Sequence, residues 1–386
     1  MRVGIIGLGF RLGYLGSIFT EIDPNFQIAG YVDPNPAGMA MLTQNGISAG
    51  KAYATPEELI AGEKLDLLMI GSPNHLHLGH IRIGLEAGLQ IFSEKPIVST
   101  LEQSFELARL LAVHGHDRLM VGLVLRYSPL YQRLRLAQAE GQLGDVVSIE
   151  ASEHIEPYHG AFFMRDWRRY EQYAGGFMLE KCCHDLDLYN GVVGARPERV
   201  ASFGGRKSFI PANSPEMDGI NDLELYRRKP SGWMGSDKVF DSDANIIDFQ
   251  TAIVEYASGA AMTFHTNLNV PDQFRRFCVI GSKGMAEGDF VRGFLDVHDA
   301  RTGTKLVEQK FQAPSTTSHH YGADEQMAAD VIAYVNSGAQ LPVSALDALE
   351  AGILAISIDE ARRTKTVFDL RPVWDRYDEA LWAKAA

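Results

Sequence analysis

Cysteine is scarce in this chain: 386 residues hold three. Cys182 and Cys183 are adjacent and Cys278 lies far away, so no disulfide framework is present and the pattern fits a reducing compartment. Long apolar runs are also missing. No stretch of about 18 apolar residues occurs, so no membrane-spanning helix is expected. Basic residues are in deficit, 36 lysines and arginines against 49 aspartates and glutamates, for a formal net charge of −13. No basic run offsets that balance, so nucleic acid and anionic membranes are not expected partners. Repeats and low-complexity tracts are absent, and an ordinary composition (46% hydrophobic, 22% charged) speaks against collagen, coiled coil and disorder. At about 100–200 residues per domain the length suits two or three domains. The opening Met1-Arg2-Val3-Gly4-Ile5-Ile6 reads as a first strand and not as a signal peptide, which makes a cytoplasmic location the expectation.

What is there has a rhythm. Arg2–Ile6, Gln27–Val32, Leu65–Ile70, Gln90–Phe92 and Leu119–Leu125 read as buried strands. Phe10–Glu21, Pro36–Gln44, His77–Leu89 and Leu101–His114 read as helices between them, and the alternation predicts a parallel sheet covered on both faces. After Arg126 the rhythm changes. A helix over Leu130–Glu140, a strand around Val146–Glu153, a loop and a helix over Gly176–Val193 lead into a series of short strands, which predicts a largely antiparallel sheet. Helices over Ala323–Asn336 and Ala345–Arg363 follow. Lys207–Asn245 is a polar, proline- and glycine-containing loop. Its Tyr226, Arg227, Arg228 and Trp233 either border a ligand or a neighbouring subunit, or belong to a solvated insertion.

The first strand runs into Gly7-Leu8-Gly9-Phe10-Arg11-Leu12-Gly13. Two glycines between a strand and a helix allow a tight turn and bring backbone N–H groups close to a pyrophosphate. The third glycine comes one place late. Asp33 ends the second strand, where a carboxylate accepts hydrogen bonds from the adenosine ribose and repels a 2′-phosphate. No arginine or lysine follows in Pro34-Asn35-Pro36-Ala37, so NAD is favoured over NADP. Arg11 is either a neighbour of the diphosphate or a solvated helix residue.

Two further stretches carry chemistry. Ser93-Glu94-Lys95-Pro96 follows a strand, where ligands sit on open sheets, and a lysine there donates to an oxygen gaining negative charge. A surface lysine before a helix-starting proline is the plain alternative. On the predicted helix Gly176–Val193, Glu180, His184 and Asp187 stand at i, i+4 and i+7 on one face. A histidine with carboxylates one turn away suits general acid/base work, and equally a structural ion pair. Adjacent Cys182-Cys183-His184 project too far apart to converge on a metal, and His75, His77 and His80 fit edge-of-cofactor packing better than a metal site.

Taken together these residues resemble the Gfo/Idh/MocA family (glucose–fructose oxidoreductase, inositol dehydrogenase and rhizopine catabolism). The resemblance runs through the glycine turn, Pro73-Asn74 with His77, Glu94-Lys95-Pro96, Arg126-Tyr127, Asp166-Trp167-Arg168, the Glu180, His184 and Asp187 helix, and the helix after His320-Tyr321-Gly322. It implies an N-terminal Rossmann doubly wound domain over 1–125, and a second α/β domain with an open, mostly antiparallel sheet over 126–343. A C-terminal helix and tail over 344–386 would return to the first domain. It implies hydride transfer between NAD or NADP and a secondary alcohol or ketone carbon of a sugar or cyclitol, without a metal. Lys95, His184 and Glu180 fall on the family's catalytic positions, although aspartate is more usual where Glu180 stands. Gly7, Gly9, Phe10, Arg11, Asp33, Ser72, Asn74, His77, Glu94 and Lys95 fall on the cofactor side. Lys95, Arg126, Tyr127, Trp167, Arg168 and Asp187 fall on the substrate side. A homodimer or homotetramer is implied through the open sheet face. An NAD-assisted glycosidase and a non-catalytic NAD-dependent sugar sensor are the competing functions.

Overall fold

The glycine turn sits where sequence patterning places it, at the end of the first strand of a parallel sheet. In the computed structural model, which describes residues 1–215, 226, 233–312 and 320–382, the chain opens with strictly alternating elements. These are β1 (Arg2–Ile6), α1 (Phe10–Ile22), β2 (Gln27–Val32), α2 (Met39–Gln44), β3 (Lys51–Ala52), α3 (Pro56–Gly62), β4 (Leu67–Ile70), α4 (Asn74–Glu86), β5 (Gln90–Ser93), α5 (Leu101–His114) and β6 (Leu119–Val121). The strands pair in the order β3-β2-β1-β4-β5-β6, all parallel. Their apolar runs follow from burial on both faces, and Leu67, Leu68, Met69 and Ile70 are all fully buried. The order reverses between β1 and β4, and the crevice at the carboxyl ends of such strands is where α/β sheets bind ligands. β3 and α3 escape the sequence pattern because the strand is only two residues long. α3 is marked instead by its start, where the Thr55 hydroxyl accepts from the Glu58 N–H and Pro56 fills the first turn.

The next elements are α6 (Pro129–Ala139), β7 (Val146–His154), α7 (Pro157–Arg165), α8 (Glu171–Ala174), α9 (Phe177–Glu180), α10 (Cys183–Val193), β8 (Pro197–Gly205), β9 (Phe249–Tyr256), β10 (Ala261–Asn267), β11 (Arg276–Gly281), β12 (Gly284–Asp289), β13 (Phe294–Asp299) and β14 (Lys305–Lys310). The chain finishes with α11 (Ala323–Ser337), α12 (Ala345–Thr364), β15 (Phe368–Asp369) and α13 (Arg371–Trp382). The second sheet has the order β14-β13-β12-β11-β7-β10-β9-β8-β15. Its β7–β10 pair is parallel and the other pairs are antiparallel. Its strands alternate: Gln250, Ala252, Val254 and Tyr256 of β9 are buried, while Thr251 and Ile253 are exposed. One face therefore packs under helices, α10 lying against β7, and the other is open.

The chain forms two compact units. One comprises residues 1–127, 322–353 and the chain from Trp374 onward, and the other residues 128–321 and 354–373. Residues 322–343, grouped with the second domain by sequence, thus pack in the first. There α11 lies along α1 and the turn at 124–127, and buried Asp324 takes the guanidinium of Arg11.

One expected element is corrected. The helix over Gly176–Val193 is two helices, α9 and α10, joined by Lys181 and Cys182. The Cys182 carbonyl accepts from both Asp185 and Leu186, a tightened turn that restarts the helix and shifts the register between Glu180 and His184. Part of the segment between Glu153 and Gly176, taken as loop, is also helical in α7 and α8. The loop 207–245 is anchored at its start: the Asp248 carboxylate accepts the N–H groups of Lys207, Ser208 and Phe209. Tyr226 packs 5.0 Å from Phe240 and Trp233 4.9 Å from Tyr173, while Arg227 and Arg228 lie outside the described residues.

Candidate active site

In the first unit the turn after β1 is shaped by glycine. Gly7 has φ +83°, and a Cβ there would fall 2.4 Å from the Ser72 nitrogen. Gly9 opens α1 and caps it with no side chain, and a Cβ at Gly9 would meet nothing within 4 Å, so the helix N-terminus faces open space. The displaced third glycine has a structural reason. Leu12 stands where the fingerprint's last glycine would be and is buried. Gly71 makes room for it, since a Cβ at Gly71 would lie 2.6 Å from Leu12 Cγ. Gly13 serves a different approach, its Cβ position being 2.6 Å from the Cα of Gly38. Gly7→Ala combines a disfavoured φ with a backbone clash and is expected to destabilise the unit by about 1–3 kcal/mol and weaken NAD binding. Calorimetric titration with NAD and a denaturation curve check both.

Asp33 follows β2, and its carboxylate accepts the Asn35 N–H at 2.7 Å. Burial pushes its carboxyl up from the ordinary range, while the N–H groups of Asn35 and Leu8 pull it down. The Leu8 contact places the carboxylate against the glycine turn. Arg11, on the first turn of α1, donates to Glu94 at 2.8 Å and to Asp324 at 2.7 Å. Those two carboxylates hold its guanidinium charged. Two of its donors are thereby committed to the unit itself. Glu94 is buried, and Lys95, half-buried, precedes Pro96 across a cis peptide. His77 is buried with both ring nitrogens 2.7 Å from carbonyl oxygens, Nδ1 at Pro96 and Nε2 at Ser72. It ties the Ser72-Pro73-Asn74 turn to the strand end that carries Lys95. Ser72 Oγ lies 2.9 Å from His80 Nδ1, and Asn74 opens α4. Arg126 reaches Asp347 at 3.7 Å and the Pro342 carbonyl at 3.5 Å, and Tyr127 is buried. The glycine turn, the open N-terminus of α1 and Asp33 fit a dinucleotide. Among the described residues no group of three or more histidine, cysteine, aspartate or glutamate side chains could hold a metal ion.

In the second unit Asp166, Trp167, Arg168, Glu180, His184 and Asp187 come from the 3-10 turn at 167–169, α9 and α10. Arg168 donates to Glu180 at 2.7 Å and to Asp166 at 2.9 Å, with its guanidinium 4.3 Å from the Trp167 ring centre. The two carboxylates keep it charged despite burial. Glu180 thus accepts from Arg168, a role the helix spacing did not suggest. His184 is 3% exposed and Asp187 fully buried, both on α10. The His184 ring lies 5.9 Å from that of His320, a residue the sequence placed before a helix without a role in the site. Beneath α10, Asp185 receives two hydrogen bonds from Arg275, at 2.7 and 2.6 Å. Arg275 also pairs with Glu153, which in turn takes Lys181 at 3.3 Å.

Two family models match this chain. The NAD-binding Rossmann-fold domain of the Gfo/Idh/MocA oxidoreductase family matches residues 1–123, and that family's C-terminal alpha/beta domain matches residues 138–370. YteT of Bacillus subtilis (strain 168) is 23% identical over 314 residues, 72% of this chain and 73% of that protein. Inositol 2-dehydrogenase of Corynebacterium glutamicum (strain R) is 25% identical over 197 residues, 51% of this chain and 55% of its own length. The chain therefore spans about half the length of that relative. Among solved structures, levoglucosan dehydrogenase in complex with NADH and levoglucosan superposes with a TM-score of 0.75 at 17% identity, covering 96% of this chain and 99% of that one. At such identity the likeness is one of fold. The two matched domains, in the order that the glycine turn and the histidine helix anticipate, place this chain in the Gfo/Idh/MocA oxidoreductase family.

Proposed function

We propose that this protein is an NAD-dependent dehydrogenase of a sugar or cyclitol, oxidising a secondary alcohol or reducing the matching ketone. The observation that carries the reading is one chain holding both a glycine turn closed by Asp33 and a buried helical histidine. That histidine follows a guanidinium fixed between two carboxylates. Inositol 2-dehydrogenase, scyllo-inositol 2-dehydrogenase (NAD(+)) and 1,5-anhydro-D-fructose reductase are relatives whose names point the same way.

NAD, held by the Gly7–Gly9 turn, the N-terminus of α1 and Asp33, supplies the hydride acceptor when bound. The protein's own part is proton and charge management. Neutral His184 takes the hydroxyl proton as the hydride leaves. Lys95 donates a hydrogen bond to the same oxygen and stabilises developing negative charge. Arg168 and Asp187 hold neighbouring hydroxyls, and Glu180 fixes Arg168. Every proton step reverses in reduction. The test is a screen of myo-inositol, scyllo-inositol, levoglucosan and related polyols with NAD and NADP, followed by absorbance of the reduced cofactor. Glycoside cleavage without net NADH would overturn the reading in favour of the NAD-assisted glycosidase, and binding without turnover in favour of the sensor.

Cofactor choice rests on Asp33. Asp33→Ala is expected to weaken NAD binding and relax discrimination against NADP, because the carboxylate that repels a 2′-phosphate is gone. A wild-type kcat/KM higher for NADP than for NAD would defeat this assignment.

Assembly rests on the open face of the second sheet. Phe203, Ile253 and Ile280 are exposed there, beside a hollow of 830 Å3 lined by residues including His154, His265, Phe274 and Met285. Exposed apolar area on one sheet face calls for cover, and a second copy of the chain supplies it in a homodimer or homotetramer. Light scattering at micromolar concentration should give twice or four times the chain mass of 42.6 kDa, and a monomer would rule the assembly out.

A further inference from the structure

The chain does something unusual as it leaves the second unit. His320 has φ +49° and Tyr321 has φ +61°, two consecutive residues other than glycine in the left-handed region, with Gly322 following at +85°. Side chains with a Cβ rarely adopt this conformation once, and two in succession persist only where the surroundings fix them. The anchor is visible on Tyr321. Its ring packs 6.1 Å from that of Phe290, and its hydroxyl is hydrogen-bonded to Arg275, the residue that clamps Asp185 on α10. The outcome of this backbone is the placement of His320. Its imidazole is tilted 48° against that of His184 with 5.9 Å between ring centres.

His184 is almost wholly buried, and His320 is half-buried. A general base that receives one proton per turnover must release it before the next. Two imidazoles at this separation can exchange a proton directly or through one water. We propose that His320 is a relay residue that carries the proton between His184 and solvent. The inference rests on the dehydrogenase reading and adds an exit to it. In oxidation the substrate C–H electron pair and hydrogen go to the nicotinamide, and the O–H proton goes to His184. The resulting imidazolium passes that proton to one nitrogen of neutral His320, which gives a proton from its other nitrogen to water. One proton appears in solution per alcohol oxidised, and both histidines return to the neutral form.

The charged groups on and next to the elements that carry His184 are matched to each other. Arg168 serves Glu180 and Asp166, Arg275 serves Asp185 and Glu153, and Lys181 serves Glu153. Asp187 stands one turn along α10, and the Tyr321 phenol is held neutral by burial. Burial pushes the Asp185 carboxyl, next to His184, up to about 6 against the pull of Arg275, the same range as an ordinary imidazole.

Histidine-selective NMR titration of the wild-type protein tests this without any substrate. Coupled midpoints are expected for His184 and His320, with the His184 midpoint moving up in His320→Gln as a like charge is removed. Independent titration of the two rings, or an unmoved His184 midpoint, overturns the proposal. Kinetics with myo-inositol and levoglucosan add a second reading. His320→Gln should lower kcat on the order of tenfold, short of the ~10²–10⁴ expected for losing the base itself. KM and NAD affinity should hold, and added imidazole should restore part of the rate. A His320→Gln enzyme with wild-type kcat and pH profile overturns the relay alone, whereas an active His184→Ala enzyme overturns the general-base reading beneath it.

Discussion

Replacing His184 by alanine is expected to lower kcat by roughly 10²–10⁴-fold, the range for losing a positioned acid/base group. NAD affinity should stay nearly unchanged, because the glycine turn and Asp33 belong to the other unit. Lys95→Ala should also lower kcat, by removing charge stabilisation from the oxygen that becomes an alkoxide. The double variant should lose less than the product of the two single losses, since both groups serve one transition state. The pH–rate profile for oxidation should rise through one ionisation as His184 becomes neutral, and that limb should vanish in His184→Ala. Glu180→Gln offers a contrast. Its carboxylate accepts from Arg168 at 2.7 Å, so the loss should fall first on KM, through a loosened guanidinium. Turnover in His184→Ala within about threefold of wild type, where a positioned base is worth far more, would return His184 to a purely structural role.

Much of this was legible in sequence because the signals are local. A strand buried on both faces is an apolar run, and α5 begins and ends as its pattern and capping threonine require, with Thr100 Oγ accepting from Gln103. The glycine turn was legible for the same reason. Its exception was not, because the room for Leu12 comes from Gly71, far along the chain and carrying no signal of its own. Helix spacing placed Glu180 and His184 on one face but could not anticipate the tightened turn at Lys181-Cys182. In that turn the Cys182 carbonyl accepts from Asp185 and Leu186, and no proline or glycine marks it in the sequence. The partnership of Glu180 with Arg168 brings together residues from separate elements, beyond any periodicity. His320 was hidden for a similar reason. Only its left-handed backbone turns it toward His184, and nothing but the following Tyr321-Gly322 marks that in the sequence. α11 likewise joins the first unit through Asp324 and Arg11, a pairing 313 residues apart.

Arg275→Ala is expected to destabilise the protein more than Gly7→Ala does. The Arg275 side chain is 3% exposed and lies between two carboxylates, Asp185 at 0% and Glu153 at 5%. Removing it leaves Asp185 buried without its bidentate partner and leaves Glu153 with Lys181 alone. Breaking a buried ion pair from one side costs about 3–5 kcal/mol, because the uncompensated charge stays desolvated. The pH dependence follows from the sign of that penalty. Burial already holds the Asp185 carboxyl up at about 6 with Arg275 in place, and losing the guanidinium raises it further above its unfolded value near 4. The proton then favours the folded state, so the deficit should shrink as pH falls from 7 toward 5 and be largest at neutral pH. Arg275→Lys should recover part of the loss, since it restores charge but not the forked geometry. Because Asp185 neighbours His184 and the Tyr321 hydroxyl shares the same guanidinium, the variant should also lose turnover in excess of its unfolded fraction. Denaturant unfolding at pH 7 and pH 5 measures the first effect, and kcat corrected for folded protein the second. A loss under about 1 kcal/mol at pH 7, the range of an exposed ion pair, would show that the network is not what holds α10 in place.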